Sequence, residues 1–432
     1  MKGNDLLNAP SNDSIEDFHF GKMIDLTEWT HNCMKRKFIY LIFAIISVNG
    51  CSSKMNDKED LPFIDVNKKY PEKELIFNDF ADVSYIHLNT DNDDYLYKSP
   101  IMTYTISKNT IVVYDVSSCS ILFFSRDGTP KSRFKRLGQG PEEYMGVNRI
   151  LYDEDTDEVF IADSQVYKIQ VYSSSGQYKR TIPLPIRVNC RSLVFFDTQS
   201  FLVYCNKATR YLIPSQRKEH KSEVENYTTY YHISKTNGAI LDSLNLPSDS
   251  TVFLSSVSPS GIYGSTNYSR LSKGMEGFYL CNPETDTVYL YNMDKSIIPV
   301  FRKAPSVHDI DPIVVITNVV DIKRYQFFRI ETIYYEKDRK NPRYPDRYYF
   351  RDKETDDIYL QKIILPEYKG KEFNISADNR VSYGEENGLL YELDLIELKQ
   401  ANEENRLSRQ LKELVDTLNE LDDNNVLMFV QF

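Results

Sequence analysis

The sequence predicts an all-β fold: a six-bladed β-propeller of four-stranded blades, with a C-terminal amphipathic helix and a final strand. Three observations predict it. First, IVVYDVSSCSILFFSRDG (111–128) and VFIADSQVYKIQVYSSSG (159–176) align without a gap, Asp115 meeting Asp163 and Gly128 meeting Gly176. Each is an apolar strand, an Asp-led turn, a second apolar strand and a tight Gly turn. Glycine supplies the positive φ that such turns demand. Second, the chain carries 32 Tyr and 23 Phe in 432 residues, and flat rings pack well on pleated surfaces. Third, weaker copies follow. TYYHISKTNGAILDSLNLP (229–247) parallels IQVYSSSGQYKRTIPLP (169–185), and NPETDTVYLYN (282–292) parallels DKETDDIYLQKIILP (352–366). Sheets that recur every ~50 residues bury both faces only by stacking round an axis. Residues 75–394 hold about six such units, with five or seven left open because the later copies are degraded.

The elements before the propeller concern its address. Lys35, Arg36 and Lys37 precede an apolar run from Phe38 to Val48, followed by Asn49, Gly50 and Cys51. This run is too short to span a membrane and suits a secretory signal. A small residue directly before a cysteine looks like a lipoprotein cleavage box, so Cys51 is expected to be the lipidated first residue of the mature chain. The expected division is an N-terminal extension (1–33) upstream of a true start at Met34, a signal peptide (34–50), a tether and lead-in (51–74), the propeller (75–394), and a helix with a closing strand (395–432). The expected location is the outer membrane, facing the periplasm or the cell surface, with the lipid as the only membrane contact.

At the other end, Leu407, Leu411, Leu414, Leu418 and Leu421 fall at steps of four and three, one face of a helix running from 393 to about 421. VLMFVQF (426–432) then reads as a strand. It and the N-terminal stretch ADVSYIHL (81–88) are equal candidates to close the ring.

The chemistry is sparse. RLGQGPEEY (136–144) lacks the Gly-Lys-Ser/Thr of a phosphate loop and sits among strands. Adjacent residues of an extended chain point to opposite faces, so Glu142 and Glu143 diverge and do not form an acid–base pair. The stretch reads as a structural turn: Gly138 and Gly140 bend the chain, Pro141 fixes φ, a glutamate bonds loop amides, and Tyr144 buries its ring between blades. Asp115 and Asp163 are expected to cap inter-strand turns. The histidines downstream of Cys51 (His87, His220, His232, His308) show no zinc spacing, and no GxSxG is present. No catalytic residue, metal or cofactor is assigned. Cys119, Cys190, Cys205 and Cys281 read as buried thiols in strands, with a disulfide left open in an oxidising compartment. A formal charge of -11 argues against a nucleic-acid partner. The charged stretch 210–231 and the Tyr- and Arg-rich stretch 334–352 have the composition of recognition surfaces.

LGQGPEEY followed by VFIADSQVYKIQVYSSSG resembles an NHL-type propeller repeat. With the Cys51 box, the strand Tyr85-Ile86-His87-Leu88 and the C-terminal helix and strand, the chain is similar to the six-bladed β-propeller lipoproteins of gut Bacteroidetes. That resemblance implies a fold and an envelope location but no established activity. The expected function is therefore a non-enzymatic binding module for a glycan or protein partner. The alternative is a carbohydrate-active lyase or hydrolase with its site at the axial mouth.

Overall fold

The computed structural model describes residues 61–432 except 91–93, 98–102, 164–165, 185–191, 205–229, 245, 247–254, 259–260, 266–270, 284, 308, 311–312, 333–345, 378–379 and 384–385. Six blades follow one another along the chain. Blade 1 spans 104–134, blade 2 149–183, blade 3 192–244, blade 4 271–304 and blade 5 314–364, each a meander of four antiparallel strands. Blade 6 takes Arg380–Tyr383, Glu386–Leu393 and Val426–Gln431 from the C-terminal side and Asp82–His87 from the N-terminal side. Val426–Gln431 pairs with Glu386–Leu393 along one edge and with Asp82–His87 along the other. Both candidate closing strands thus share one sheet and seal the ring together.

Alternation along each strand sends one set of side chains to each neighbouring blade. The core accordingly lies between blades. Val112, Phe123 and Val159 join blades 1 and 2; Phe160, Val171 and Phe201 join 2 and 3. Phe196, Phe278 and Tyr291 join 3 and 4; Phe301, Phe328 and Tyr349 join 4 and 5. Phe327, Phe350 and Tyr391 join 5 and 6, and Ile86, Phe124 and Phe429 close the circle to blade 1.

One turn recurs in five blades, between the third and fourth strands. Gly128, Gly176, Gly238, Lys295 and Asp356 all take positive φ, between 65° and 88°. Each donates its N–H to the carbonyl three or four residues back, on Ser125, Ser173, Ser234, Asn292 and Asp352. This corrects the parallel between 282–292 and 352–366. The first stretch crosses from the second to the third strand of blade 4, the second from the third to the fourth strand of blade 5. An Asp-rich turn before an aromatic strand suits any tight hairpin, so likeness of composition does not mean likeness of position.

The C-terminal segment holds two helices instead of one: α1 (Leu395–Glu403) and α2 (Arg409–Thr417). Asn405 takes φ +56 and breaks the run between them. Leu407 lies in the connection and forms a bridge to Tyr368, while Leu421 is exposed. The leucine period runs through a break that the backbone does not. Beyond them, buried Asn424 accepts from the Tyr97 N–H and donates to the carbonyls of Leu88 and Tyr95, tying the two chain ends.

Part of the stretch expected as tether and lead-in is strand. Phe63–Asp65 adds in parallel to the outer strand of blade 4, and Glu72–Ile76 to that of blade 5, before Asp82–His87 enters blade 6. The chain thus visits the rims of three consecutive blades, covering edges that would otherwise present unpaired backbone groups.

Candidate functional site

Antiparallel strands send alternate connections to opposite ends. The first-to-second and third-to-fourth connections leave on one side, here called the turn face. The second-to-third connections and those between blades leave on the other, the loop face. On the turn face no connection exceeds five residues, as at 154–157, 173–177 and 353–357. The ends of 135–148, 205–229, 333–345 and 394–425 all fall on the loop face. RLGQGPEEY lies there, and so does the helical segment.

The turn motif is a clasp between blades 1 and 2. Gly138 N–H donates to the Tyr144 carbonyl and Tyr144 N–H to that of Arg136, closing a loop whose tip is the turn from Gly140 to Glu143. Gly140 N–H donates to the Glu143 carboxylate at 2.8 Å. That carboxylate folds over Gly138, where a Cβ would collide with it. Tyr144 is fully buried, and its hydroxyl donates to the Cys119 carbonyl of blade 1. Burial pushes its pKa up to about 12. From blade 2, Gln170 donates to the carbonyls of Pro141 and Glu143, and Tyr172 donates to that of Glu142. Both Glu142 and Glu143 are thus bound by backbone into the clasp.

The repeated aspartates differ. Asp115 accepts from the N–H groups of Ser117 and Ser118, inside its own turn. Asp163 is fully buried and instead accepts from Met145 and Gly146, reaching back to the clasp. Gly128 and Gly176 sit at the repeated left-handed turn. Cys51 lies outside the described residues, as do His220, His308, Cys190, Cys205 and most of the two recognition stretches. Within 334–352, residues 346–352 form the third strand of blade 5, and Tyr349 is buried in its core. Cys119 and Cys281 are free thiols; Cys281 is buried as expected, whereas Cys119 is only half-buried, because it sits in the turn between the second and third strands of blade 1 and not in a strand. His87 pairs with Asp423 at 3.3 Å near the seam, and His232 is buried between blades 3 and 4. Among the described residues no three His, Cys, Asp or Glu gather as a metal site.

Two polar arrangements on the loop side escape sequence reasoning. At the loop end of blade 5, Arg329 is 2% exposed and Glu331 fully buried. Arg329 Nε donates to Thr317 Oγ1 at 2.9 Å, and its guanidinium stands 6.0 Å over the Tyr348 ring. The Tyr348 hydroxyl donates to Asp346, and burial pushes its pKa up to about 12. Two charges inside the apolar strand YQFFRIET were the available signal. The second arrangement is a cleft of about 410 Å³ between blade 5's exit and blade 6. Tyr368, Phe373 and Tyr391 contribute rings; Glu372, Asp394 and Glu397 contribute carboxylates. Asp394 caps α1 by accepting from the Glu397 N–H, and Glu397 pairs with Lys371 at 2.8 Å. The rings are buried, with Lys371 and Arg406 standing over that of Tyr368, so what the cleft offers a ligand is its carboxylates, which accept from hydroxyl groups.

The family described as Domain of unknown function (DUF4934) matches residues 61–431. No curated protein matches. Among solved structures, a Bacteroides fragilis protein described as exported is similar at 16% identity and TM-score 0.53, over 83% of this chain and 97% of that one. A Bacteroides vulgatus member of the DUF4221 family follows at 11% identity and TM-score 0.41, over 81% and 96%. Virginiamycin B lyase from Staphylococcus aureus is similar at 10% identity and TM-score 0.36, over 82% and 99%.

Proposed function

We propose, for a chain that belongs to the DUF4934 family, a non-enzymatic binding role at the bacterial envelope, where Cys51 carries a lipid and the loop face receives a glycan or protein partner. The uneven division of connections carries this reading. The turn face is trimmed to tight turns, whereas the loop face carries the long insertions, the helical segment and the ring-lined cleft. Propellers recognise ligands with variable loops held on a rigid ring, and loops so placed are where function concentrates. Export is supported by the signal-like run from Phe38 to Val48, and a Bacteroides fragilis protein of like fold is described as exported.

The test is a glycan array and a partner capture from envelope extracts, paired with an assay for polysaccharide turnover. Saturable binding lost in Glu372→Ala, an exposed side chain of the cleft, with no turnover, is the expected result. Turnover of any polysaccharide overturns the non-enzymatic reading. Retained membrane attachment in Cys51→Ala overturns the lipid anchor.

A further inference from the structure

Each blade ends in an outer strand, and five of the six are covered or guarded against further pairing. Phe63–Asp65 covers part of blade 4 and Glu72–Ile76 covers blade 5, while Pro299 interrupts the stretch of blade 4 beyond the added strand. The outer strand of blade 1 carries Pro130, Lys131 and Arg133, and that of blade 2 Lys179, Arg180 and Pro183. Prolines and cations guard a sheet edge, because proline lacks the donor and a charge resists burial. Along Asp82–His87, blade 6 exposes only Asp82 and Ser84. Blade 3 differs. Its outer strand, Ile240–Leu244, holds no proline and no cation, and its first four residues are all exposed, a run that no other outer strand shows. Ile240 is 46% exposed and Leu241 57%.

Register fixes what each side of this edge offers. Ile240 is paired with Ile233, whose side chain lies in the core shared with blade 2. Asp242 is paired with His232, which packs on Phe196 and on Tyr291 of blade 4. Paired residues share a face, so the aliphatic and the acidic side chain stand on opposite sides of the strand. The backbone offers a donor as well. Ser234 N–H donates to the Ala239 carbonyl, which puts the alternate pairs His232–Asp242 and Tyr230–Leu244 in the ladder. Ser243 falls between them, so its N–H faces away from the sheet. Only the Asp242 carboxylate covers it, accepting at 2.7 Å, and that carboxylate has no ion pair among the described residues.

The molecule itself shows what such a rim accepts. In blade 5 the added strand is acidic where the edge is basic: Lys362 pairs with Glu72 at 3.8 Å and with Glu74 at 3.3 Å. At blade 3 the sign is reversed. We infer that the outer strand of blade 3 takes an extended segment of another protein as a fifth strand, one in which aliphatic side chains alternate with lysine or arginine. The aliphatic side chains lie along Ile240, on one face. On the other, the cation draws the Asp242 carboxylate off the Ser243 N–H and leaves that donor to a carbonyl of the incoming strand. In strand addition, backbone bonds give affinity and alternate side chains give specificity. A second copy of this chain does not fit, because in-register antiparallel pairing of Ile240–Leu244 with itself sets Asp242 against Asp242. The rim is separate from the loop face and needs neither its ligand nor the lipid anchor.

Short labelled peptides with blocked ends test this, one alternating valine with lysine and one alternating valine with glutamate, each titrated with the full chain by fluorescence anisotropy. The lysine peptide should bind roughly fivefold tighter, the span between an attractive and a repulsive cross-strand charge pair. Asp242→Lys should reverse the order. With the lysine peptide at about ten times its Kd, hydrogen exchange at the Ser243 amide should slow about tenfold, in step with the free fraction. The Lys131 amide, on the guarded edge of blade 1, should not change. Ser243→Pro removes the outward N–H and no ladder bond, and should abolish binding. Should that variant fail to fold, exchange at Ser243 in the unsubstituted chain decides.

Each other outcome overturns the proposal. Lysine-peptide binding that survives Asp242→Lys and leaves Ser243 unprotected is general attraction to an acidic chain. Equal protection of Ser243 by both peptides removes the basic partner. No protection by either leaves the edge without a strand. Slow exchange at Ser243 before any peptide is added means that the edge is already filled, by a second copy where protection grows with protein concentration and by another segment of this chain where it does not. None of these results touches the loop-face reading or the lipid anchor, which Glu372→Ala and Cys51→Ala test separately.

Discussion

Blades 1 to 3 and blades 4 and 5 make the same turn between their third and fourth strands with different residues. Gly128, Gly176 and Gly238 hold it in the first group, Lys295 and Asp356 in the second, all at positive φ. Backbone conformation alone therefore does not demand the glycine. The neighbour does. A Cβ at Gly128 would collide with the His87 carbonyl, at Gly176 with the Phe134 side chain, and at Gly238 with the Pro183 carbonyl, each on the outer strand of the preceding blade. Lys295 and Asp356 are exposed. The repeat is kept where one blade's turn presses on the next blade's edge, and drifts where the turn stands free.

The largest test breaks that packing. Gly128→Ala should cost about 3 kcal/mol, from left-handed strain and from displacing the His87 backbone at the ring seam. Thermal unfolding reads it, and a loss below about 1 kcal/mol would reduce the glycine to a φ effect. Blade 5 substitutes side-chain chemistry for glycine at its turn. The buried Asp352 carboxylate accepts from Arg324 at 2.8 and 3.2 Å and from the Glu354 N–H. Asp352→Ala should cost about 2 kcal/mol, discounted because Arg324 is 45% exposed. Denaturant midpoints measure it, and an unchanged midpoint removes Asp352 from the account.

Between the two groups lies His232, packed at 4.3 Å on Phe196 and also against Tyr291. Burial holds its pKa below the ordinary 6.5; Lys295 depresses it further, while Asp242 and Asp197 oppose. The unfolded chain then takes up the proton more readily than the folded one. Stability is held above about 6.5 and falls on acidification, by up to about 1.4 kcal/mol per pH unit until the folded imidazole itself titrates. Urea unfolding at pH 7 and pH 5 should show a smaller difference in His232→Phe than in the parent chain. Equal differences would mean that His232 does not couple the seam to pH. The smallest effect is expected at Lys295→Gly. Relief of left-handed strain and the entropy gained by the unfolded chain nearly cancel, leaving a change within about 0.5 kcal/mol.

The same neighbour contacts govern how much of the fold is legible in the sequence. Blades 1 and 2 align because Gly128 and Gly176 both press on the blade before them. Blades 4 and 5 show as repeats but out of register, because Asp-led turns occur at both ends of a blade. The clasp is legible as a turn from its glycines, proline and Tyr144. The fold of the Glu143 carboxylate over Gly138 is not, since it depends on a side-chain rotamer. Nor is the bend at Asn405, because leucine spacing measures which face is buried and not whether the helix is continuous. Phe63–Asp65 and Glu72–Ile76 are invisible for another reason: short strands that add in parallel to a finished edge carry no alternation of their own. Arg329 and Glu331 can be noticed in a strand, but only the fold brings Thr317 and Tyr348 to them.

The lead-in along three rims also has a mechanical meaning. Tension applied at Leu61 does not reach the ring seal directly. It meets first the pairing of Phe63–Asp65 with blade 4, then that of Glu72–Ile76 with blade 5, and only afterwards Asp82–His87. Tension at Phe432 bears at once on Val426–Gln431, inside the seal. Stretching single molecules from each end should show this as unequal first ruptures. Force drawn from the N-terminal side would peel two added strands before the circle of blades begins to open.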